Sequence, residues 1–111
     1  MPRLIALVAA LALAACHRDD HQAAKALIAT HCAACHTVPG VAAARGRVGP
    51  SLAAIGKRQV IAGVLPNSPA HLRHFLEHPQ SVLPGGAMPE LGLSPEQSKT
   101  IADYLLTLDE P

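Results

Sequence analysis

The feature that most constrains this chain is a short motif of two cysteines and a histidine, Cys32-Ala33-Ala34-Cys35-His36. On a helical turn, thiols at positions i and i+3 point to the same side and can add to the two vinyl groups along one edge of a haem. The histidine that follows can then bind the iron from the proximal face. A zinc site would need a second pair of ligands, and a thioredoxin-like motif would need a βαβ setting, for which the chain has no pattern. The spacing therefore predicts one covalent haem c on Cys32 and Cys35, with His36 as an iron ligand.

Residues 1–15 form a predicted signal peptide. Arg3 supplies a positive charge, and residues 4–15 are an unbroken apolar run, shorter than the roughly 20 residues that span a bilayer. Small residues precede Cys16, as in the lipobox of bacterial lipoproteins. The alternative, cleavage at an Ala-x-Ala site, would leave Cys16 as an exposed free thiol, a liability outside the cytoplasm. We therefore expect lipidation of Cys16 and a tether over residues 16–19, followed by a folded domain over residues 20–111. That domain would lie at the periplasmic face of a bacterial membrane. The sequence does not decide between the inner and the outer membrane.

The composition favours a fold built around a cofactor. The chain has one Phe, one Tyr and no Trp, so it lacks the large side chains that usually dominate a small core. A haem is a flat apolar body that could fill this role, although a bundle rich in Ala and Leu could close without one. Once Arg3 is removed, positive and negative side chains balance. Nothing in this balance indicates a nucleic-acid surface or strong electrostatic steering.

Apolar periodicity and capping signals predict an all-α fold with three main helices and one or two short ones. The main helices are expected from residue 22 into the cysteine motif, over residues 69–77 after a Ser68 cap, and after a capping box of Ser94 and Gln97. A short helix is predicted over residues 51–55, ended by Gly56, and a loop over residues 80–93. Residues 60–65 fit either a helical turn or an extended piece.

Histidines outside the motif could also bind metal. His71, His74 and His78 share one face of the second predicted helix, where three imidazoles could hold an ion. A solvated polar face is the simpler interpretation. His31 precedes the motif and is expected to be partly exposed, because His36 already has the proximal position.

The second axial position of the iron decides the function. An open position allows gas binding or peroxide chemistry, whereas a second strong ligand leaves electron transfer. Met88 is the only methionine after the predicted signal peptide, and it lies in a loop rich in Pro and Gly over residues 84–89. Pro89 restricts Met88 to an extended backbone, which suits a constrained loop that holds a weak thioether. A lone methionine can also fill a core, but this position favours the second iron ligand.

Taken together, these motifs resemble a class I bacterial cytochrome c. Gly49-Pro50-Ser51-Leu52 resembles the family's Gly-Pro-x-Leu, and residues 72–88 resemble the segment that leads to the methionine ligand. The resemblance implies a cytochrome c fold around one haem and a hydrogen bond from the His36 ring to the Pro50 carbonyl. It also implies that Arg58 lies near the haem propionates.

The chain departs from the family pattern at three positions. Ala24 stands where the family usually has glycine, Ile28 lies near a usual aromatic, and Phe75 often corresponds to Trp. The first two belong to a helix crossing, and the third removes an indole donor near the haem. None of these departures bears on haem attachment.

The resulting hypothesis is a lipid-anchored monohaem cytochrome c that is not an enzyme. It would carry single electrons between redox proteins such as an oxidase, a reductase or a dehydrogenase. Neither a small-molecule substrate nor a nucleic acid is expected. One alternative is a dedicated cytochrome c subunit of a periplasmic oxidoreductase complex. Another is a haem sensor or peroxidase-like protein in which a ligand displaces Met88.

Overall fold

The computed structural model describes residues 21–111, so the predicted signal peptide, Cys16 and the tether lie outside the described residues. The described chain is mainly helical, with one small hairpin, and the predicted all-α class is confirmed. No helix within residues 21–111 is long and apolar enough to cross a membrane. The elements are α1 (residues 21–31), a 3-10 helix (Ile55–Lys57), β1 (Val60–Ile61), β2 (Leu65–Pro66), α2 (Pro69–Glu77), α3 (Pro79–Val82) and α4 (Pro95–Leu105).

The core lies where α1 meets α4. Ala24 and Ile28 lie on one stripe of α1, are almost completely buried, and belong to the same apolar cluster as Leu105 of α4. Full burial of a side chain the size of Ile or Leu stabilises a fold by about 1.5–3 kcal/mol. The ring of Tyr104 on α4 meets the His21 ring edge-on at a centroid distance of 5.8 Å. These contacts hold α1, which leads into the cysteine motif, against α4.

The later helices begin at the predicted caps. The Ser68 hydroxyl accepts a hydrogen bond from the His71 backbone N–H at 3.1 Å, and Pro69 occupies the first helical position. Ser94 and Gln97 form the reciprocal capping box, with distances of 3.2 and 2.9 Å. A cap of this kind stabilises a helix by about 1 kcal/mol. Because α2 packs against α4, the two caps fix where this packed pair begins.

The prediction of a short helix over residues 51–55 is wrong. The helical turn in this stretch covers Ile55–Lys57, so Gly56 lies inside it. The Ser51 hydroxyl accepts a hydrogen bond from the Ala53 backbone N–H at 3.2 Å, a local bond that competes with helix formation. Ala54 has a left-handed φ of 56°, which no helical residue adopts. Together these two features delay the helix until Ile55.

The prediction of a loop over residues 80–93 is wrong at its start, because α3 covers Pro79–Val82. Pro79 cannot continue α2, but its missing N–H is harmless in the first turn of a new helix. The stretch that periodicity left undecided, residues 60–65, belongs to an antiparallel hairpin in which Ile61 pairs with Leu65. The side chain of Asn67 holds this hairpin by donating to the Ile55 carbonyl at 2.8 Å.

Candidate cofactor site

A cavity of about 650 Å³ lies between the cysteine motif, α2 and the segment that carries Met88. The four side chains singled out for haem and iron, those of Cys32, Cys35, His36 and Met88, all line it. Arg58 lines the same cavity. The fold therefore brings the two proposed iron ligands, which are distant in sequence, to the wall of one cavity.

Most of the remaining lining is apolar, and its character fits a porphyrin. In the described part of the chain, four large apolar side chains are exposed. Three of the four line this cavity, namely Val48, Val60 and Leu83. Val48 is 74% exposed. Clustered exposed apolar side chains mark a surface that another apolar body covers, and a haem face is such a body. Further wall residues are Leu52, Ile55, Ile61, Leu72, Phe75, Leu76, Leu91 and Leu105.

The cysteine motif continues from the end of α1 as a hydrogen-bonded turn. The backbone N–H groups of His36 and Cys35 donate to the Cys32 carbonyl at 2.9 and 3.1 Å. The two thiols are not joined in a disulfide. Burial, with a smaller contribution from Cys35, raises the pKa of the Cys32 thiol to about 11. Such a thiol is protonated at neutral pH, so it lacks the activated thiolate of a catalytic redox pair.

A hydrogen bond fixes the orientation of the His36 ring. Its Nδ1 lies 2.7 Å from the Pro50 carbonyl oxygen. Because a carbonyl can only accept, Nδ1 carries the proton and donates it, and the lone pair of Nε2 is left for a metal. This is the bond that the resemblance implied. A donor bond from Nδ1 orients the imidazole and increases its basicity toward a metal.

Two glycines bring the chain close to the motif from the other side. A Cβ on Gly49 would overlap the His36 ring, and a Cβ on Gly46 would overlap the backbone at Cys35. The Gly49 N–H donates to the Cys35 carbonyl at 2.7 Å, and the Gly46 N–H donates to the Ala33 carbonyl at 3.1 Å. Close approach, not unusual φ, therefore requires glycine here. The sequence motif pointed to Gly49, but nothing in it pointed to Gly46.

Met88 is half-buried in residues 83–90, which we call the Met88 loop, and it packs against the apolar core. The amide of Gln80 in α3 reaches across to this loop. Its Nε2 donates to the Gly86 and Met88 carbonyls, both at 2.8 Å, and its Oε1 accepts from the Gly85 N–H at 3.2 Å. Sequence reasoning did not single out Gln80, whose one signal was its place in the segment resembling the family.

Arg58 has a fixed side chain at the cavity. Its guanidinium donates to the Ser51 carbonyl. Lys99 and Asp103 form an ion pair on the exposed face of α4. Within residues 21–111, no carboxylate pairs with Arg58. The positive charge of Arg58 is therefore available for an anionic group at the cavity, such as a haem propionate.

The other histidines of the described chain do not build a metal centre. Within residues 21–111, no group of three or more His, Cys, Asp or Glu side chains is placed to hold an ion. The rings of His74 and His78 lie 5.5 Å apart, whereas His71 bonds through Nδ1 to the Pro66 carbonyl at 2.8 Å. This agrees with a polar face on α2. His31 lines the cavity, a position that its sequence context did not reveal.

Comparisons with known proteins point to one family. The family model described as Cytochrome c matches residues 21–109. Curated relatives include cytochrome c oxidase subunit 2 of Alkalihalophilus pseudofirmus strain OF4, 36% identical over 78 residues, covering 69% of this chain and 22% of the relative. The same subunit of Bacillus sp. strain PS3 is 34% identical over 88 residues, covering 76% of this chain and 25% of the relative. The chain thus spans about a quarter of the length of these relatives.

Proposed function

The chain belongs to the cytochrome c family, which binds haem c covalently and serves electron transfer, and from that premise we propose a specific role. It is a membrane-anchored monohaem cytochrome c that carries single electrons between respiratory or periplasmic redox partners. The observation that carries this proposal is the meeting of Cys32, Cys35, His36 and Met88 at one apolar cavity. With His36 and Met88 as its two axial ligands, the iron would have no open position for a substrate, so the protein would transfer electrons and transform no substrate.

Each residue of the site has a defined task. Cys32 and Cys35 would hold the haem through thioether bonds, and His36 and Met88 would bind its iron. The bound haem would supply one-electron chemistry, between Fe(III) and Fe(II). The Pro50 carbonyl accepts the Nδ1 proton of His36 and holds the imidazole in one orientation. Arg58 would offer its charge to a propionate, and the apolar walls would lie against the faces of the haem.

Met88→Ala tests the second axial ligand. Reduced wild-type protein at neutral pH is expected to bind carbon monoxide slowly, because Met88 occupies the sixth position, and the variant is expected to bind it rapidly. Leu91→Ala, which trims an apolar wall of the same cavity, controls for general loosening. An unchanged low-spin spectrum in Met88→Ala would contradict the assignment and point to a histidine such as His31. Rapid binding by the wild type would instead favour the sensor or peroxidase-like alternative.

The membrane anchor is proposed from the sequence at Cys16. A lipidated cysteine with two or three acyl chains binds a bilayer firmly, whereas one chain binds only marginally. Cys16→Ser is expected to move the protein from the membrane fraction to the soluble periplasmic fraction without changing its haem spectrum. Mass spectrometry of the mature N-terminus identifies the modification directly. Unmodified Cys16 in the mature wild type would overturn the anchor and leave the electron-carrier proposal intact.

The relatives favour a second candidate, a dedicated subunit of an oxidase complex. Both are named cytochrome c oxidase subunit 2, and the matched region covers about a quarter of each. A dedicated subunit would co-purify with an oxidase in fixed stoichiometry from detergent-solubilised membranes, even at high salt. A carrier would separate, because redox partners of this type meet through small, transient interfaces.

A further inference from the structure

We propose that Gln80 is the positioning residue that determines how firmly Met88 is held at the iron. The inference rests on the proposed function, since it takes Met88 as an axial ligand. One side-chain amide of Gln80 makes three hydrogen bonds to the Met88 loop, to Gly85, Gly86 and Met88 itself. The bond to the Met88 carbonyl acts on the residue that carries the thioether.

The Met88 loop has little else to fix its backbone. Apart from the bonds of Gln80, a backbone hydrogen bond from the Gly86 N–H to the Leu83 carbonyl closes the loop at 3.0 Å, and the Leu83 N–H donates to the Pro79 carbonyl at 2.9 Å. Met88 packs against the apolar core, whereas the side chains of Leu83, Ala87 and Pro89 are exposed. A loop with few buried contacts opens at low free-energy cost unless specific bonds hold it.

Gln80 is itself held from two sides. It lies in the first turn of α3, directly after Pro79, and its backbone N–H donates to a carboxylate oxygen of Glu90 at 3.1 Å. A carboxylate at a helix N-terminus satisfies a donor that the helix leaves unpaired. Gln80 and Glu90 therefore tie α3 to both ends of the segment that presents Met88, which fixes the base from which the Gln80 side chain reaches the loop.

The chemistry of these bonds requires an amide. Two carbonyls need two donors, and the Gly85 N–H needs an acceptor, a set that one glutamine side chain supplies. Leucine is similar in size but has neither a hydrogen-bond donor nor an acceptor in its side chain. Glutamate would retain the acceptor but would direct a second acceptor at the Gly86 and Met88 carbonyls. Protonation of that glutamate restores one donor, so a Gln80→Glu variant carries a pH dependence that the wild type lacks.

The experiment uses haem-loaded protein and imidazole as a competing iron ligand. Gln80→Leu is expected to bind imidazole roughly tenfold more tightly than the wild type, because three modest hydrogen bonds no longer hold Met88 in place. The exchange rate of the Gly85 amide proton should rise in the same variant. Gln80→Glu should weaken the absorption band of methionine-ligated ferric haem at neutral pH and regain part of it on acidification.

Gln97→Leu is the matched control, because it removes a glutamine that also bonds backbone but caps α4 away from the loop. It should lower thermal stability and leave imidazole affinity unchanged. The proposal is overturned if Gln80→Leu matches the wild type in imidazole affinity, or if Gln97→Leu raises that affinity equally. Failure of the proposed function has a different signature, namely that Met88→Ala retains the wild-type spectrum and imidazole affinity.

Discussion

The two sides of the cavity hold their proposed ligands in different ways. On the His36 side, residues 46–50, here the His36 loop, lie against the motif with main-chain contacts at Gly46 and Gly49 and a carbonyl bond at Pro50. On the other side, one side chain, that of Gln80, holds the Met88 loop. Truncation of a neighbouring side chain leaves the main-chain contacts at Gly46 and Gly49 in place, whereas a single truncation of Gln80 removes all three of its bonds to the Met88 loop. We therefore expect the Met88 side to open first.

The largest expected effect is that of a substitution in the cavity wall, which should destabilise the His36 side and the Met88 side alike. Leu76 is 4% exposed in α2 and lines the cavity. Leu76→Ala is expected to lower the free energy of unfolding by about 2–5 kcal/mol, through lost burial and a residual void. Chemical denaturation of the haem-loaded protein measures it. Val64→Ala, at an exposed position outside the wall, should change stability by less than about 0.5 kcal/mol.

Gly49→Ala should damage the His36 side alone. The added methyl would overlap the His36 ring, and overpacking of this kind costs about 1–3 kcal/mol of unfolding free energy. The haem absorption spectrum should change as the ring tilts away from Pro50. Gly92→Ala is the control, because a side chain at its φ of +68° is strained, the space around it is open and it lies outside the cavity wall. An altered spectrum in Gly92→Ala would mean that general strain, and not ring displacement, is responsible.

Tyr104→Phe tests how the segment before the His36 loop is tied to α4. The Tyr104 hydroxyl donates to the Pro39 carbonyl at 2.7 Å, so its removal should cost about 1 kcal/mol at pH 7. Burial raises the pKa of Tyr104 above its ordinary value of 10.0. The folded state therefore retains this proton more tightly than the unfolded state, and the stabilisation is lost as pH rises above about 10. Urea denaturation should show a smaller gap between wild type and variant there; a gap independent of pH would contradict this account.

The smallest effect is expected for Glu90→Gln on the Met88 side. The variant keeps an acceptor oxygen for the Gln80 N–H but removes the negative charge from the start of α3. Because Glu90 is exposed, the loss should be about 0.5 kcal/mol and should shrink with added salt. Thermal denaturation at low and high salt measures it, with the exposed Glu110→Gln as control. A loss of several kcal/mol would mean that the Met88 side depends on this charge more than on Gln80.

The parts of the fold that local chemistry determines could be predicted. The caps at Ser68, Ser94 and Gln97 lie within a few residues of the groups they satisfy, so the helix starts follow from the sequence. Residues 51–55 could not be predicted because Ala54 adopts a left-handed conformation that alanine ordinarily avoids and that its residue type does not signal.

The site residues also differ in how much the local sequence reveals about them. Cys32, Cys35 and His36 stand in one motif, whereas the meeting of His36 with Met88 at one cavity depends on the packing of α2 and α4. The place of Met88 in its loop suggested a ligand, and the resemblance supplied Pro50. Nothing local indicated that Gln80 would bond three residues of that loop, because those bonds exist only after α3 forms.

The burial of Cys32 bears on the order of events in assembly. Only 5% of this residue is exposed in the folded chain, and with a pKa of about 11 its thiol offers very little thiolate at neutral pH. If Cys32 is a point of haem attachment, as proposed, a thiol this deeply buried favours attachment while the chain is still open and the thiol is in water. Folding and maturation would then be coupled, with the cofactor joined to the chain before Cys32 is buried.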